Sequence, residues 1–487
     1  MKKIALFFII YQFSFLGLHS QIKTLTFTLE ECIEYAKRNS TSAKIAKSEY
    51  QSRKYFYQAF KSQLYPQISF SGSLPGLERA INAVTQPDGS VLYLQQSQLS
   101  STANLQLSQQ IPFTGGRFSL SSGISRIDIF GTNNVFFWRS TPVQLSFWQP
   151  LFQINELQWN IEIQELQILN SDRQYVEAME EISINTTQKF FNLYLAQMNV
   201  ENAKFNVAVN DTLYQLSLGR YSVGKIAEND LLQSELGLIN VQNQLENYLL
   251  EYEKAKEELK IAIGLDDVVE FKILPPLEIP QFKVEPELAI EQAKKNRSDL
   301  INFKIEEIYA EKTIAKAKSD NSFQANISAS FGLNQSATAV PDAFKNLLDQ
   351  ERFNISLEIP LFQWGKAEAD IESAKSAKEK TINSIELRKK QFELEVKYQA
   401  LNFSQYQKQV AISAKADTIA TRRFEVARKR YLIGKIDMNT YFIAQNEKDS
   451  TLRSYIQTLK NFWVAFYQLR RSTLYDFVNN KPLILEK

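Results

Sequence analysis

The sequence predicts a mainly α protein with a β-barrel part, organised as a two-fold internal repeat of long antiparallel coiled-coil helices plus strands. Three observations carry this. Two stretches of more than 100 residues, from Pro150 to Pro275 and from Pro360 to Pro482, hold no proline between their ends, although the chain has 13. Near the middle of each stands one motif, RYSVGKIAEND from Arg220 and RYLIGKIDMNT from Arg430, 210 residues apart. Segments that alternate apolar with small polar residues precede both stretches.

Residues 1–20 read as a secretory signal peptide: Lys2 and Lys3, an apolar run from Ile4 to Leu16, then a small residue, Ser20, before a polar start. The run is shorter than the roughly 20 residues a spanning helix needs. Cys32, the only cysteine, is not at the cleavage point where a lipid anchor would require it, and one cysteine forms no intramolecular disulfide. His19, the only histidine, leaves with the peptide. Without imidazole, Ser-His-Asp triads, His general acid–base work and His metal sites are excluded. No catalytic residue, metal ligand or cofactor is expected, and no Gly-rich phosphate loop is present. The full chain has 56 basic and 54 acidic residues, so loss of Lys2 and Lys3 brings the formal charge to zero, and nothing in the charge balance steers the chain to nucleic acid. No later apolar run is long enough to span a bilayer. An exported chain of this kind is soluble outside the inner membrane or inserted as a closed barrel, since helices and barrels alone satisfy backbone groups in lipid.

The first repeat, 21–263, opens with a helix over Glu30 to Asn39 that parallels Glu287 to Asn296, with Ala36 matching Ala293 and Asn39 matching Asn296. A second helix follows each, over 41–64 and 298–319. Strands are expected over about 66–150 and, in the second repeat, about 325–360. QISFSGS sets Ile68 and Phe70 against Gln67, Ser69 and Ser71, and FNISLEI sets Phe353, Ile355, Leu357 and Ile359 against Asn354, Ser356 and Glu358. This period of two suits a strand between lipid and water, and equally a soluble sandwich.

The proline-free stretches then read as helices, because proline breaks helix interiors. Leu231, Leu238, Leu245, Tyr252 and Leu259 recur every seven residues, while Leu452, Ile456, Leu459, Trp463 and Phe466 alternate spacings of four and three. Both are coiled-coil seams. Gly224 and Gly434 mark where the chain reverses, since glycine accepts the left-handed conformation that ends a helix. From Pro150 to Gly224 is 74 residues, as is Pro360 to Gly434; about 70 helical residues rise roughly 105 Å. A proline-rich linker, 264–285, joins the first repeat to the second, 286–470, whose tip is near 434; a tail, 471–487, ends the chain.

Segment 76–140 has no counterpart of equal length in the second repeat. It contains two alternating stretches joined by Thr114-Gly115-Gly116, a hairpin turn. IPFTGG also imitates IPLFQWG, so Pro112 competes with Pro150 as the strand-to-helix junction; the 74-residue match favours Pro150. The segment is an extra hairpin outside the membrane or additional strands of a barrel.

In its two R-Y-x-x-G tips, its PLF and IPLFQWG junctions and its duplicated TLEECIEYAKRN helix, the chain resembles the outer-membrane efflux protein family, the TolC-like channels. The resemblance implies a homotrimer in the outer membrane of a Gram-negative bacterium, extending into the periplasm. Each copy would give four strands to a 12-stranded barrel and its helices to a tunnel. It further implies a passive conduit of a tripartite efflux or type I secretion system, fed by an inner-membrane transporter through a periplasmic adaptor, with outer-membrane lipid around the barrel. Val223, Gly224 and Lys225, with Ile433, Gly434 and Lys435, would then face the adaptor, and Arg220, Tyr221, Arg430 and Tyr431 would pack the tips. Relatives with acidic pore rings carry Asp six and nine residues past the second tip glycine; here those residues are Thr440 and Ile443, leaving Glu228, Asp230 and Asp437 as gate acids. Two rivals stand beside this reading: an exported periplasmic coiled-coil scaffold without a channel, and a carboxylate-based hydrolase, for which the acids are too dispersed along helix surfaces.

Overall fold

In the computed structural model, which describes residues 25–484 apart from 132–133, 267–268 and 277, the chain runs β1 (Leu25–Thr28), α1 (Leu29–Asn39), α2 (Thr41–Gln63), β2 (Gln67–Thr85), β3 (Val91–Gln110), β4 (Arg117–Phe130), β5 (Val135–Leu151), α3 (Glu156–Ser222) and α4 (Glu228–Ile263). The second half runs β6 (Phe271–Leu274), α5 (Pro286–Asn296), α6 (Ser298–Asp320), β7 (Gln324–Ala337), β8 (Leu348–Glu358), α7 (Lys366–Leu432) and α8 (Met438–Thr473), then β9 (Tyr475–Asp476) and β10 (Lys481–Pro482). The expected signal peptide, 1–20, lies outside the described residues. The helices match in length pair by pair: 11 residues in α1 and α5, 23 in α2 and α6, 67 in α3 and α7, 36 in α4 and α8. No helix among the described residues is long and apolar enough to cross a membrane.

Two compact units form. One comprises the chain up to Ile45, Met179–Lys283 and Asn402–Gln468. Here β1 pairs in parallel with β6. Span 264–285 is therefore more than a linker: it contributes a strand, and Phe282 stacks on Phe403 at 4.8 Å. A capping box starts α1, Thr28 accepting from the Glu31 N–H while the Glu31 carboxylate accepts from the Thr28 N–H, which satisfies two backbone donors a helix start leaves free. Gly264, at φ +73°, ends α4 so close to Asn39 that a Cβ there would lie 2.7 Å from its carbonyl oxygen. The predicted seams are buried at Leu259, Ile456, Leu459, Trp463 and Phe466, whereas Leu231, Leu238, Leu245, Tyr252 and Leu452 stay half-buried.

The other unit comprises Ala46–Ala178, Val284–Leu401 and the chain from Leu469. Its centre is one antiparallel sheet in the order β2-β3-β4-β5-β7-β8. The expected four strands become six, because segment 76–140 is neither loop nor separate hairpin but runs in register with the rest. Thr114-Gly115-Gly116 makes the β3–β4 turn: Gly115 adopts φ +74°, the Gly115 N–H donates to the Ile111 carbonyl, and the Ile111 N–H donates to that of Gly116, both at 2.8 Å. Pro112 thus sits in a hairpin turn. Pro150 lies inside β5 and Pro360 just past β8, yet each long helix begins six residues after its proline, at Glu156 and Lys366.

Side chains alternate across all six strands. One hydrogen-bonded row reads Gln67, Ser108, Ser119, Ser146, Ser330, Arg352; the next reads Ile68, Leu107, Leu120, Leu145, Phe331, Glu351. One face of the sheet is polar and the other is largely apolar, the pattern of a wall between water and lipid.

Candidate functional site

The two tips share one backbone geometry. Gly224 and Gly434 adopt φ +69° and +73°. Each glycine N–H donates to the carbonyl three residues back, Tyr221 or Tyr431, and the following lysine N–H donates to the carbonyl five back, Arg220 or Arg430, all at 2.9 Å. This Schellman arrangement satisfies the last carbonyls of α3 and α7 and needs glycine at the left-handed position. Nothing lies within 4 Å of a Cβ built at either glycine, so conformation rather than space demands the residue. Val223 and Ile433 are each 66% exposed, beside exposed Lys225 and Lys435. Each tip therefore presents an apolar side chain and an ammonium to solvent.

Behind the backbone the tips differ. Tyr431 is 7% exposed and Tyr221 is 41%. Tyr431 packs with Leu213, Phe424, Met438 and Tyr441, and the Arg220 guanidinium lies 6.0 Å from its ring centre while donating to the Leu432 carbonyl at 3.2 Å. The first tip's arginine thus braces the second tip, while Arg430 and Tyr221 are exposed. The Tyr441 hydroxyl is buried without a partner, and burial raises its pKa.

The three acids have separate local roles. Asp437 caps α8: its carboxylate accepts from the Thr440 N–H at 2.7 Å, and hydrogen bonds from Thr440 hold it below its ordinary pKa. Glu228 and Asp230 are exposed in the first turn of α4, where acids complement the helix dipole. At the position matching Asp437, α4 has Ala227 and no side-chain cap.

About four helical turns from the second tip lies a polar layer that sequence reading missed. Asp449 accepts from Asn202 and, at 2.9 Å, from Asn206; Lys448 donates to Asn202 at 2.6 Å and sits 5.0 Å from the ring centres of both Phe205 and Phe424. Burial lowers the pKa of Lys448 and raises that of neighbouring Asp417. The available signal was Asn202 and Asn206 at i, i+4, which puts two amides on one helix face; nothing in sequence pairs them with Asp449. Among the described residues no group of acids, histidines and cysteines could hold a metal ion.

The outer membrane efflux protein family matches residues 118–265 and 289–473. The chain belongs to that family. It is an outer-membrane efflux channel component, and the scaffold reading falls away. The family is one of channel proteins. Its fold is similar to that of the Campylobacter jejuni CmeC outer membrane channel, at 16% identity over 91% of this chain and 85% of that one, with a TM-score of 0.66. Similar too are the Vibrio cholerae outer membrane protein VceC, at 14% identity, 91% and 95% coverage and a TM-score of 0.63, and the open state of the Neisseria gonorrhoeae MtrE outer membrane channel, at 14%, 91% and 88%, and 0.58. No curated protein matches the chain. The family match begins at Phe118, so α1, α2, β2 and β3 lie outside it.

Proposed function

We propose that this efflux channel works as a homotrimeric, passive conduit whose two tips per copy receive a periplasmic adaptor, which links the channel to an inner-membrane transporter. The duplicated tip carries the reading. Two hairpins 210 residues apart keep the same turn and the same exposed Val/Ile-Gly-Lys, as a surface repeated around a ring and read twice per copy by one partner would require. The exposed Ile412, Ile419 and Val426, at heptad spacing on α7, and the exposed Leu232 and Ile239 on α4 supply the seams that neighbouring copies would bury. In this reading the channel is passive and the driving energy enters at the transporter. Asp437 caps α8, and with Glu228 and Asp230 it stands among the acids at the tip entrance.

The test replaces Val223 and Ile433 together by Glu. Protein amount and native mass stay at the wild-type level while cells accumulate a fluorescent efflux dye as a channel-deletion strain does. Undiminished dye export would remove the tips from adaptor docking. Discrete single-channel openings in a planar bilayer, from a sample whose native mass is that of three copies, check the conduit itself.

A further inference from the structure

The β2–β3 hairpin lies outside the family match, and it changes the count of strands. We propose that this hairpin is part of the barrel wall: each copy contributes six strands, eighteen in a trimer, with β8 of one copy hydrogen-bonded to β2 of the next. The inference rests on the reading that three copies share one barrel.

Four observations carry it. The apolar row through Leu145 and Leu120 continues without a break to Leu107 and Ile68, and the polar row through Ser146 and Ser119 continues to Ser108 and Gln67. A hairpin lying outside the membrane has no reason to keep its lipid-type face in phase with the wall. Second, β3 pairs with β4 over Ser97–Gln110, more than the 9–11 residues that cross a bilayer. Peeling the hairpin away would strip that edge of β4 of its hydrogen bonds, which lipid cannot replace. Third, β2 and β8 are the two edges of the sheet and run in opposite directions, so a β8–β2 joint between copies is antiparallel like every other joint in the sheet. Their edge side chains Ile68, Phe70, Phe353 and Leu357 are exposed in one chain. Fourth, Pro75 stands at the β2 irregularity between Ser73 and Gly76. Proline has no N–H to give a ladder and is tolerated at edges and bulges. The joint therefore uses the base of β2, up to about Leu74, and the remaining ribbon emerges beyond it.

Bringing the bases Gln67 and Glu358 level sets Ser69 of one copy opposite Ser356 of the next, and Ser71 opposite Asn354, all on the polar face. If the hairpin lay outside the wall, Arg117 would take the place of Gln67 and Ser119 would face Ser356. The experiment compares three double variants in a Cys32→Ala background: Ser69→Cys with Ser356→Cys, Ser71→Cys with Asn354→Cys, and Ser119→Cys with Ser356→Cys. Outer membranes are oxidised with copper–phenanthroline and run on non-reducing gels. The proposal expects the first two pairs to shift from the monomer band to bands of two and three linked copies, and the third to stay monomeric. A shift in the third pair overturns it. So does the absence of linked copies in all three, and native mass of the detergent-extracted protein then says what failed: a trimer condemns the place of the hairpin, a monomer the shared barrel beneath it.

Discussion

The two halves of the chain agree in every helix length and disagree in the sheet, four strands against two. Helices that share seams are locked in length, because inserting one residue turns every later side chain by about 100° and takes the whole stripe off its partner. A hairpin has no such constraint: β2 leaves at Gln67 and β3 returns to pair with it at Ser108, so the chain resumes where it departed. The difference shows which part of this architecture tolerates insertion.

The same comparison at the tips can be broken by mutation. The largest effect is expected at Tyr431. Tyr431→Ala opens a cavity among Leu213, Phe424 and Tyr441 and costs about 3–5 kcal/mol, whereas Tyr221→Ala at the equivalent exposed place stays within about 0.5 kcal/mol; thermal unfolding of the purified protein followed by circular dichroism measures both. Equal losses would mean that the tips are equivalent after all.

Next comes the polar layer, where Asp449→Ala leaves the part-buried Lys448 without its counter-ion and two amides without their acceptor, and costs about 3 kcal/mol. Its repeat-related partner is Ile239, exposed in the single chain, just as Asn202 and Asn206 correspond to Ile412 and Ala416. Ile239→Ala should leave helix stability alone and weaken assembly, read as a shift of native mass toward smaller species; an unchanged mass distribution would argue against α4 as a seam between copies.

Gly224→Ala and Gly434→Ala sharpen the comparison instead. Both meet open space and pay only for a left-handed alanine, about 1–2 kcal/mol each, and their unfolding midpoints should fall together. A gap between the two would reveal a contact the shared turn does not require.

The smallest effect concerns helix starts. Ala227→Asp gives α4 the cap that α8 has and stabilises by about 1 kcal/mol. Asp437→Ala should destabilise, and here pH decides. The folded carboxyl is held below its ordinary value, so its contribution is complete above the unfolded-state pKa and disappears as pH falls through the lower folded value. Wild type and Asp437→Ala should therefore differ at neutral pH and converge on strong acidification. A difference that persists in acid would assign the stabilisation to packing.

Much of this was legible in the sequence for identifiable reasons. Proline-free length and heptad spacing gave α3, α4, α7 and α8, and Gly224 and Gly434 gave the tips, because both signals are local. Alternation located the strands at QISFSGS and FNISLEI but left their number open, since a hairpin in the wall and one outside it can carry similar residues. Short β6 was hidden among prolines: four residues, FKIL, become a strand only because Leu25–Thr28 lies alongside. The polar layer joins Asn202 to Asp449 across 247 residues, and no spacing rule reaches that far.

Strands in this sheet alternate in direction throughout. Any copy that adds a single strand would bring two like-directed edges to the joint with its neighbour, so strands enter in pairs, and every copy in a ring must enter the same pair. Bore is then quantised. In a threefold ring the smallest widening is a hairpin from each copy, and a step from twelve strands to eighteen enlarges the diameter by about half, with no intermediate gauge for selection to try.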